Sequence, residues 1–248
     1  MVNHLYPDTL EEALKHLENK SRRLVGGGSD LWVRHRNWAD LPPKFEKSLL
    51  YIAHLETLKG ITKKDDFLVI GAMTPYETIL NHRDVPPLLK ACLHELASPA
   101  IRHIATLAGN IANASPAADA VLVLIMLDAL AEIENATSKR TVKVKSLIEG
   151  PGKTALKSKD MITNIKVPNQ TFTHTAYEKV GGRKADAISK VAFAGGATIK
   201  DGILEDLNIA LGAVNATVVR NEALENRYTG KRVTTIKADK EAFLKTLG

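Results

Sequence analysis

Residues 9–17 (TLEEALKHL) place apolar side chains at 10, 13, 14 and 17, and Thr9 stands three residues before Glu12. The spacing predicts an amphipathic helix opened by a capping box. Residues 22–25 read as a short strand that runs into Gly26, Gly27, Gly28, Ser29 and Asp30, with a helical turn over 31–34. Pro42 and Pro43 then mark a loop. Residues 67–70 (FLVI) have the continuous apolar character of a buried strand closed by Gly71. Thr74 follows as an N-cap, with Pro75 at the first helical position and Glu77 three residues after the cap. Helices are predicted over 88–96, after Pro86 and Pro87, and over 100–104, after Ser98 and Pro99.

Small residues dominate 105–119 (ATLAGNIANASPAAD), where backbone can approach a ligand or another backbone closely. Residues 121–130 predict a buried helix, 132–135 and 139–144 a strand pair, and 161–167 a third strand. From 173 the pattern changes to strands over 177–180, 189–199 and 203–214 with a turn at Asp201-Gly202. Helical patterns over 221–226 and 238–247 follow. This change of texture predicts two domains, 1–170 and 171–248, and no internal repeat is visible.

Composition narrows the class. The chain has 248 residues, enough for one to two domains, and 44% hydrophobic with 25% charged residues excludes a disordered or collagen-like chain. The longest apolar run, 121–127, stops at Asp128, far short of the roughly 20 residues of a membrane span. The first residues show no basic segment followed by an apolar one, so the expected location is cytoplasmic, without a secretory signal. Cys92 is the only cysteine, which excludes an intramolecular disulfide and a four-cysteine iron–sulfur cluster held by this chain alone.

The formal charge of +6 comes from scattered Lys and Arg, and five Tyr, five Phe and two Trp are few for a base-stacking surface. No nucleic-acid partner is expected; an acidic partner or phosphates account for the basic balance. The eight His show no H-E-x-x-H spacing and no G-x-S-x-G elbow occurs, so neither a protein-bound metal nor a serine nucleophile is expected. Arg183 and Lys184 read as surface charges or as contacts for a nicotinamide cofactor's phosphates.

Two constellations carry candidate chemistry. In Val25, Gly26, Gly27, Gly28, Ser29, Asp30 and Leu31, a strand ends in three glycines whose N–H groups can converge on a phosphate without a Cβ in the way. The same residues equally make a tight turn, and they match neither the Walker A nor the G-x-G-x-x-G pattern. In the second run Thr106, Asn110, Asn113 and Ser115 offer neutral hydrogen bonds, Gly109 permits close approach, and Asp119 is an acceptor for ribityl or ribose hydroxyls. The alternative is a capped loop feeding a buried helix, with Asp119 complementing the helix dipole.

Taken together, these runs resemble the FAD-binding (medium) subunit of the molybdenum hydroxylases, the family of xanthine dehydrogenase and carbon monoxide dehydrogenase. The likeness is carried by Tyr6-Pro7 with residues 10–14, then 26–31, 70–74, 98–102 and all of 105–119. Residues 165–168, 176–179 and 209–214 continue it in the family's order. The resemblance implies an α+β fold: an FAD-binding domain of the PCMH type, made of two α/β subdomains, followed by a small C-terminal domain of β-sheet plus helices. It implies that the backbone of 25–31 and the run Thr106, Leu107, Ala108, Gly109 and Asn110 clasp the FAD pyrophosphate, and that Asp119 hydrogen-bonds the cofactor. Leu96 and Ile162 match positions lining the adenine or flavin, and Lys179 a lysine near the isoalloxazine ring, although a one-residue shift would put Glu178 in that column. Ala108 departs from the family's usual glycine, and the C-terminal domain is short for the type.

By this resemblance the chain is an oxidoreductase subunit without a catalytic residue of its own. It takes electrons from a small [2Fe-2S] subunit, which a large molybdenum-cofactor subunit supplies, and passes them to NAD+, oxygen or another acceptor; the assembly expected is a dimer of heterotrimers. The alternatives are a stand-alone FAD-dependent oxidoreductase and a non-catalytic scaffold that has lost FAD. Gly27→Asp is expected to abolish flavin retention by setting a carboxylate against the diphosphate.

Overall fold

A computed structural model describes residues 4–39, 41–183 and 186–241. The first unit comprises α1 (Leu10–Leu17), β1 (Arg22–Val25), α2 (Leu31–Arg34) and β2 (Ser48–Tyr51). The Thr9 hydroxyl accepts from the Glu12 amide at 3.1 Å, while the Glu12 carboxylate accepts from Asp8 rather than from Thr9, a capping box displaced by one residue. β1 and β2 pair in parallel, and their crossover holds the glycine loop and α2.

A second unit follows with β3 (Ile61–Lys64), β4 (Phe67–Gly71), α3 (Tyr76–Asn81), α4 (Pro87–Glu95), α5 (Pro99–Arg102), α6 (Leu107–Asn113) and α7 (Asp119–Met126). It continues with β5 (Leu130–Asn135), β6 (Ser138–Lys143), α8 (Val144–Leu147), β7 (Ile148–Gly150), β8 (Lys153–Thr154) and β9 (Met161–Pro168). Strands β3, β4, β9, β5 and β6 form an antiparallel sheet in that order. The C-terminal unit is the antiparallel sheet of β10 (His174–Gly181), β11 (Ser189–Lys200) and β12 (Ile203–Gly212), with α9 (Glu222–Tyr228) and α10 (Val233–Ala238). The expected α+β class and its arrangement are therefore present.

One element ties these units together. All eight residues of α7 are buried, seven of them apolar. It packs against α4 on one side and against β11 and β12 on the other. Ala192, Ala194 and Ala210 of the C-terminal sheet thus join the same core as Leu89, Leu122 and Ile165. A smaller core of Leu204, Leu224 and Tyr228 lies under α9.

Several boundaries differ from the sequence reading for physical reasons. Pro75 occupies the cap position of α3, and the Thr74 hydroxyl donates instead to the Gly60 carbonyl at 3.1 Å. Helix α7 starts at Asp119 and ends at Met126, because Asp128 takes a left-handed φ of 54° and the chain turns into β5. Residues 107–113, read as part of a loop, are helical, since the Thr106 hydroxyl caps the Gly109 amide at 3.1 Å. The turn at Asp201 and Gly202 has positive φ at both residues, as a two-residue hairpin demands. Helix α10 lies over Val233–Ala238, residues 240–241 are helical again, and the part of the predicted 238–247 helix beyond 241 is outside the described residues, as is Lys184.

Candidate functional site

A cleft of about 460 Å³ opens between the first two units, bounded by the glycine loop on one side and by the start of α6 on the other. The two walls are held together by backbone. The Tyr76 amide donates to the Ala105 carbonyl at 3.0 Å, and Pro75 bridges to Thr106, so the strand-like link between α5 and α6 is clamped beneath the loop. A Cβ added at Gly27 would stand 1.6 Å from the Ile104 carbonyl oxygen. Glycine is required there by that approach. The expected charge effect of Gly27→Asp is thus inseparable from a steric one.

The loop leaves donors available. Gly28 has a φ of 71°, a conformation that lets consecutive amides face one way. Among the described residues, the amides of Gly26, Gly27, Gly28, Ser29 and Asp30 donate to no main-chain carbonyl. The Asp30 carboxylate pairs with Arg34 at 2.6 Å instead of capping α2. On the opposite wall the Asn110 amide donates to Thr106 at 3.0 Å, whereas the buried Asn110 Oδ1 accepts from nothing. Burying an acceptor without a partner costs roughly 1–3 kcal/mol, so that atom fits a ligand N–H or O–H. A cradle of free amides, a groove that side chains do not fill and an unpartnered acceptor together suit an extended dinucleotide such as FAD.

The apolar wall has its own supports. Arg102 donates to the Ala97 carbonyl at 3.1 Å and to Leu96 and His94 at 3.4 Å, and its Nε pairs with Glu77 at 3.0 Å. These bonds fix the end of α4 and set Leu96 into the cleft. Arg102 and Asn81 hold the Glu77 carboxyl below its ordinary pKa. At the far end, Asp160 accepts from Arg140 at 2.6 Å, the Lys157 amide at 2.8 Å and Asn135 at 3.2 Å, pinning the turn that carries Leu156 and Ser158. Burial raises the Asp160 pKa, but these donors outweigh it and the carboxyl sits below its ordinary value.

Of the residues singled out from sequence, Val25, Gly26, Gly27, Gly28, Ser29, Asp30, Leu31, Leu96, Thr106, Ala108, Gly109, Asn110, Asn113 and Ile162 line this one cleft. Four do not. Leu107 points into the core, and the Ser115 hydroxyl accepts from the Ala117 amide at 3.3 Å. Asp119 is buried, bonded to Lys179 Nζ at 2.7 Å and to the Ser189 hydroxyl at 2.5 Å, with Lys179 equally enclosed. Around this pair lie Tyr76, Cys92 and Tyr177. Burial first, then neighbouring Cys92 and Asp119, pushes both tyrosine phenols up, and the same burial raises the Cys92 thiol.

Sequence reasoning gave no site role to Met73, which lies inside the 70–74 run, or to Tyr76 just beyond it. It also passed over Arg22, Arg23 and Arg34 at the rim, which add positive charge beside the glycine loop. Leu156, Ser158 and Asp160 carry no local signal, since only the long return from β8 to β9 brings them to the cleft. Among the described residues no three His, Cys, Asp or Glu side chains gather as a metal site, and no helix is long and apolar enough to cross a membrane.

Known proteins share this arrangement. Residues 1–170 match the family described as the FAD binding domain in molybdopterin dehydrogenase, and residues 175–243 match the CO dehydrogenase flavoprotein C-terminal domain. The glyceraldehyde dehydrogenase medium chain of Sulfolobus acidocaldarius is 30% identical, over 93% of this chain and 82% of its own. A xanthine dehydrogenase FAD-binding subunit of Escherichia coli O157:H7 is 29% identical over 88% and 75%. A solved carbon monoxide dehydrogenase from Hydrogenophaga pseudoflava superimposes with a TM-score of 0.85 at 26% identity, covering 93% of this chain and 81% of that one. The chain belongs to the FAD-binding subunits of the molybdopterin-dependent dehydrogenases.

Proposed function

We propose that this chain is the electron-transfer subunit of a molybdenum hydroxylase complex, receiving electrons from a [2Fe-2S] subunit and passing them to NAD+ or another acceptor. The observation that carries the reading is the cleft's pairing of a glycine loop with open amides and an opposing, unpartnered Asn110 Oδ1. The chemistry FAD supplies when bound is the exchange of single electrons for electron pairs. The residues of the chain bind and orient. The amides of 26–30 hold the diphosphate, and Thr106 keeps α6 wound so that Gly109 and Asn110 present their backbone and carboxamide. Leu96, Met73 and Ile162 exclude water from the groove, and Leu107 anchors α6 in the core behind it.

Lys179 is buried, with Asp119 as its counter-charge and Ser189 completing that carboxylate's bonds. In this reading Asp119 of α7 holds the Lys179 ammonium and the Ser189 hydroxyl, joining the C-terminal sheet to α7, while Ser115 shapes the turn before α7. Residues 1–170 form the cofactor domain and 171–248 a C-terminal domain packed against α7 in this reading. The partners in this reading are a molybdenum-cofactor large subunit and the iron–sulfur small subunit in a dimer of heterotrimers, within the cytoplasm. That relatives are named medium chains of glyceraldehyde and carbon monoxide dehydrogenases supports a complex of several subunits.

The test is gentle purification followed by an absorption spectrum and metal analysis. We expect close to one FAD for each chain, with iron and molybdenum present only when the partner subunits accompany it. Absence of flavin would sustain the scaffold alternative. Molybdenum in equal amount on the isolated chain, or turnover of a small oxidisable compound by that chain alone, would overturn the assignment.

A further inference from the structure

Arg22, Arg23 and Arg34 line the cleft, and Arg34 is the one tied to the glycine loop. Arg22 Nη1 donates to the His16 carbonyl at 2.8 Å, which joins it to α1, and Arg23 Nη1 meets His35 Nε2 at 3.0 Å. Arg34 closes α2, and a helical side chain leans back over the turn before it. Its Nε stands 2.6 Å from the Asp30 carboxylate, so the guanidinium lies over the end of the loop. That carboxylate makes no cap for α2.

Stability does not account for the pair. Each side chain is half-exposed, and ion pairs so placed add little to folding. Beyond the ion pair, Arg34 Nη1 and Nη2 are bonded to nothing among the described residues. Electrostatics supplies the reason. Asp30 ends a run of open amides, and an anion settled on those amides would be repelled by its carboxylate unless a cation stood beside it. A guanidinium suits that place, because its planar fork can keep a carboxylate on Nε while the Nη edge takes phosphate oxygens.

We propose that Arg34 binds the diphosphate of the dinucleotide through its Nη groups, and that Asp30 is the residue that positions it. The inference rests on the reading of the cleft as an FAD site. It adds a cationic side chain to a cradle otherwise made of neutral amides and of Asn110. Asp30 and Arg34 then act as a unit: the carboxylate orients the guanidinium, and the guanidinium makes the carboxylate tolerable beside an anion.

The experiment titrates FAD calorimetrically into the deflavinated full-length chain at several ionic strengths. It compares wild type, Arg34→Met, and the double variant Arg34→Met with Asp30→Asn. Arg34→Met should bind FAD about tenfold more weakly, the loss of a charge-assisted contact. Its affinity should also fall less steeply with salt, since the diphosphate carries the charge of oxidised FAD. The double variant loses the naked carboxylate as well, so it should recover part of the affinity yet stay weaker than wild type. Unfolding midpoints of the ligand-free chains should agree, as the half-exposed pair implies. Arg34→Gln, which keeps a donor without the charge, is the second variant should Arg34→Met lower the midpoint, and it should shift affinity and salt dependence the same way. Equal affinity and equal salt dependence for wild type and the Arg34 variants would overturn the proposal. So would full recovery in the double variant, which would leave Arg34 only a screen for Asp30. A folded wild-type chain that takes up no FAD would refute the cofactor reading and this inference with it, so the wild-type titration tells the two failures apart.

Discussion

The cleft and the charged cluster around Arg220, at the junction with the C-terminal sheet, treat polar groups in opposite ways. At the junction buried charges meet protein partners. Arg220 bonds Glu225 and Asp128, each at 2.9 Å, and the Ile125 carbonyl at 2.7 Å; Glu225 also accepts from the Ile209 amide at 2.7 Å. Asn208 donates to the Met126 carbonyl at 2.8 Å, so the last carbonyls of α7 are satisfied from the neighbouring sheet. In the cleft, by contrast, the loop amides and Asn110 Oδ1 have been left open. Polar chemistry at the junction serves the fold, and polar chemistry in the cleft is held for a ligand. Substitutions should separate accordingly into losses of stability and losses of binding.

The largest effect is expected at the junction. Arg220→Met leaves Glu225 buried without its cation and uncaps α7, which should cost about 3–5 kcal/mol in denaturant unfolding. A loss below about 1 kcal/mol would remove the contrast. Gly27→Ala comes next, since its methyl meets the Ile104 carbonyl; about 1–3 kcal/mol of overpacking is expected, with flavin lost as well. Gly26→Ala is its control, because the only neighbour of a Cβ there is the flexible tip of Met73 at 3.0–3.1 Å. That variant should keep its fold.

Asp160 tests the cleft's far wall. Its folded-state pKa is depressed, so its contribution is complete above the ordinary carboxylate range and disappears as pH falls through that range toward the lowered value. Asp160→Asn should cost about 2 kcal/mol at neutral pH, from bonds to a charged acceptor, and the difference from wild type should shrink on acidification. A difference that grew at low pH would contradict the arrangement. The smallest stability effect belongs to Asn110→Ala. It removes no internal bond of the carboxamide oxygen and takes away an unpaired buried acceptor, so the ligand-free chain should be no less stable than wild type, while FAD affinity falls about tenfold, the loss of one hydrogen bond.

Much of this contrast could be read from sequence on one side only. The glycine loop and the Thr106–Asn110 run announce themselves, because close approach and capping demand particular residue types at fixed spacing. The strands β1, β5 and β11, the Asp201-Gly202 hairpin and the buried α7 follow from apolar pattern and turn chemistry for the same reason. The junction was invisible. Nothing near Arg220 foretells Glu225, Asp128 and the end of α7 converging on it, for these contacts join residues up to 95 positions apart. Asp119 shows the limit most clearly. Its place at the head of α7 was legible, but its partners Lys179 and Ser189 come from strands 60 and 70 positions on. Helix α6 was missed because its small and polar residues lack an apolar stripe, and it is held by a cap and by core contacts from Leu107 and Ile111.

The most direct measurement is a calorimetric titration of FAD into the deflavinated full-length chain, beside Asn110→Ala and Arg220→Met. One FAD should bind for each wild-type chain, Asn110→Ala should bind about tenfold more weakly with its unfolding midpoint preserved, and Arg220→Met should lose stability first. No binding to the folded wild-type chain, or equal affinity for wild type and Asn110→Ala, would contradict a cleft built to hold that cofactor.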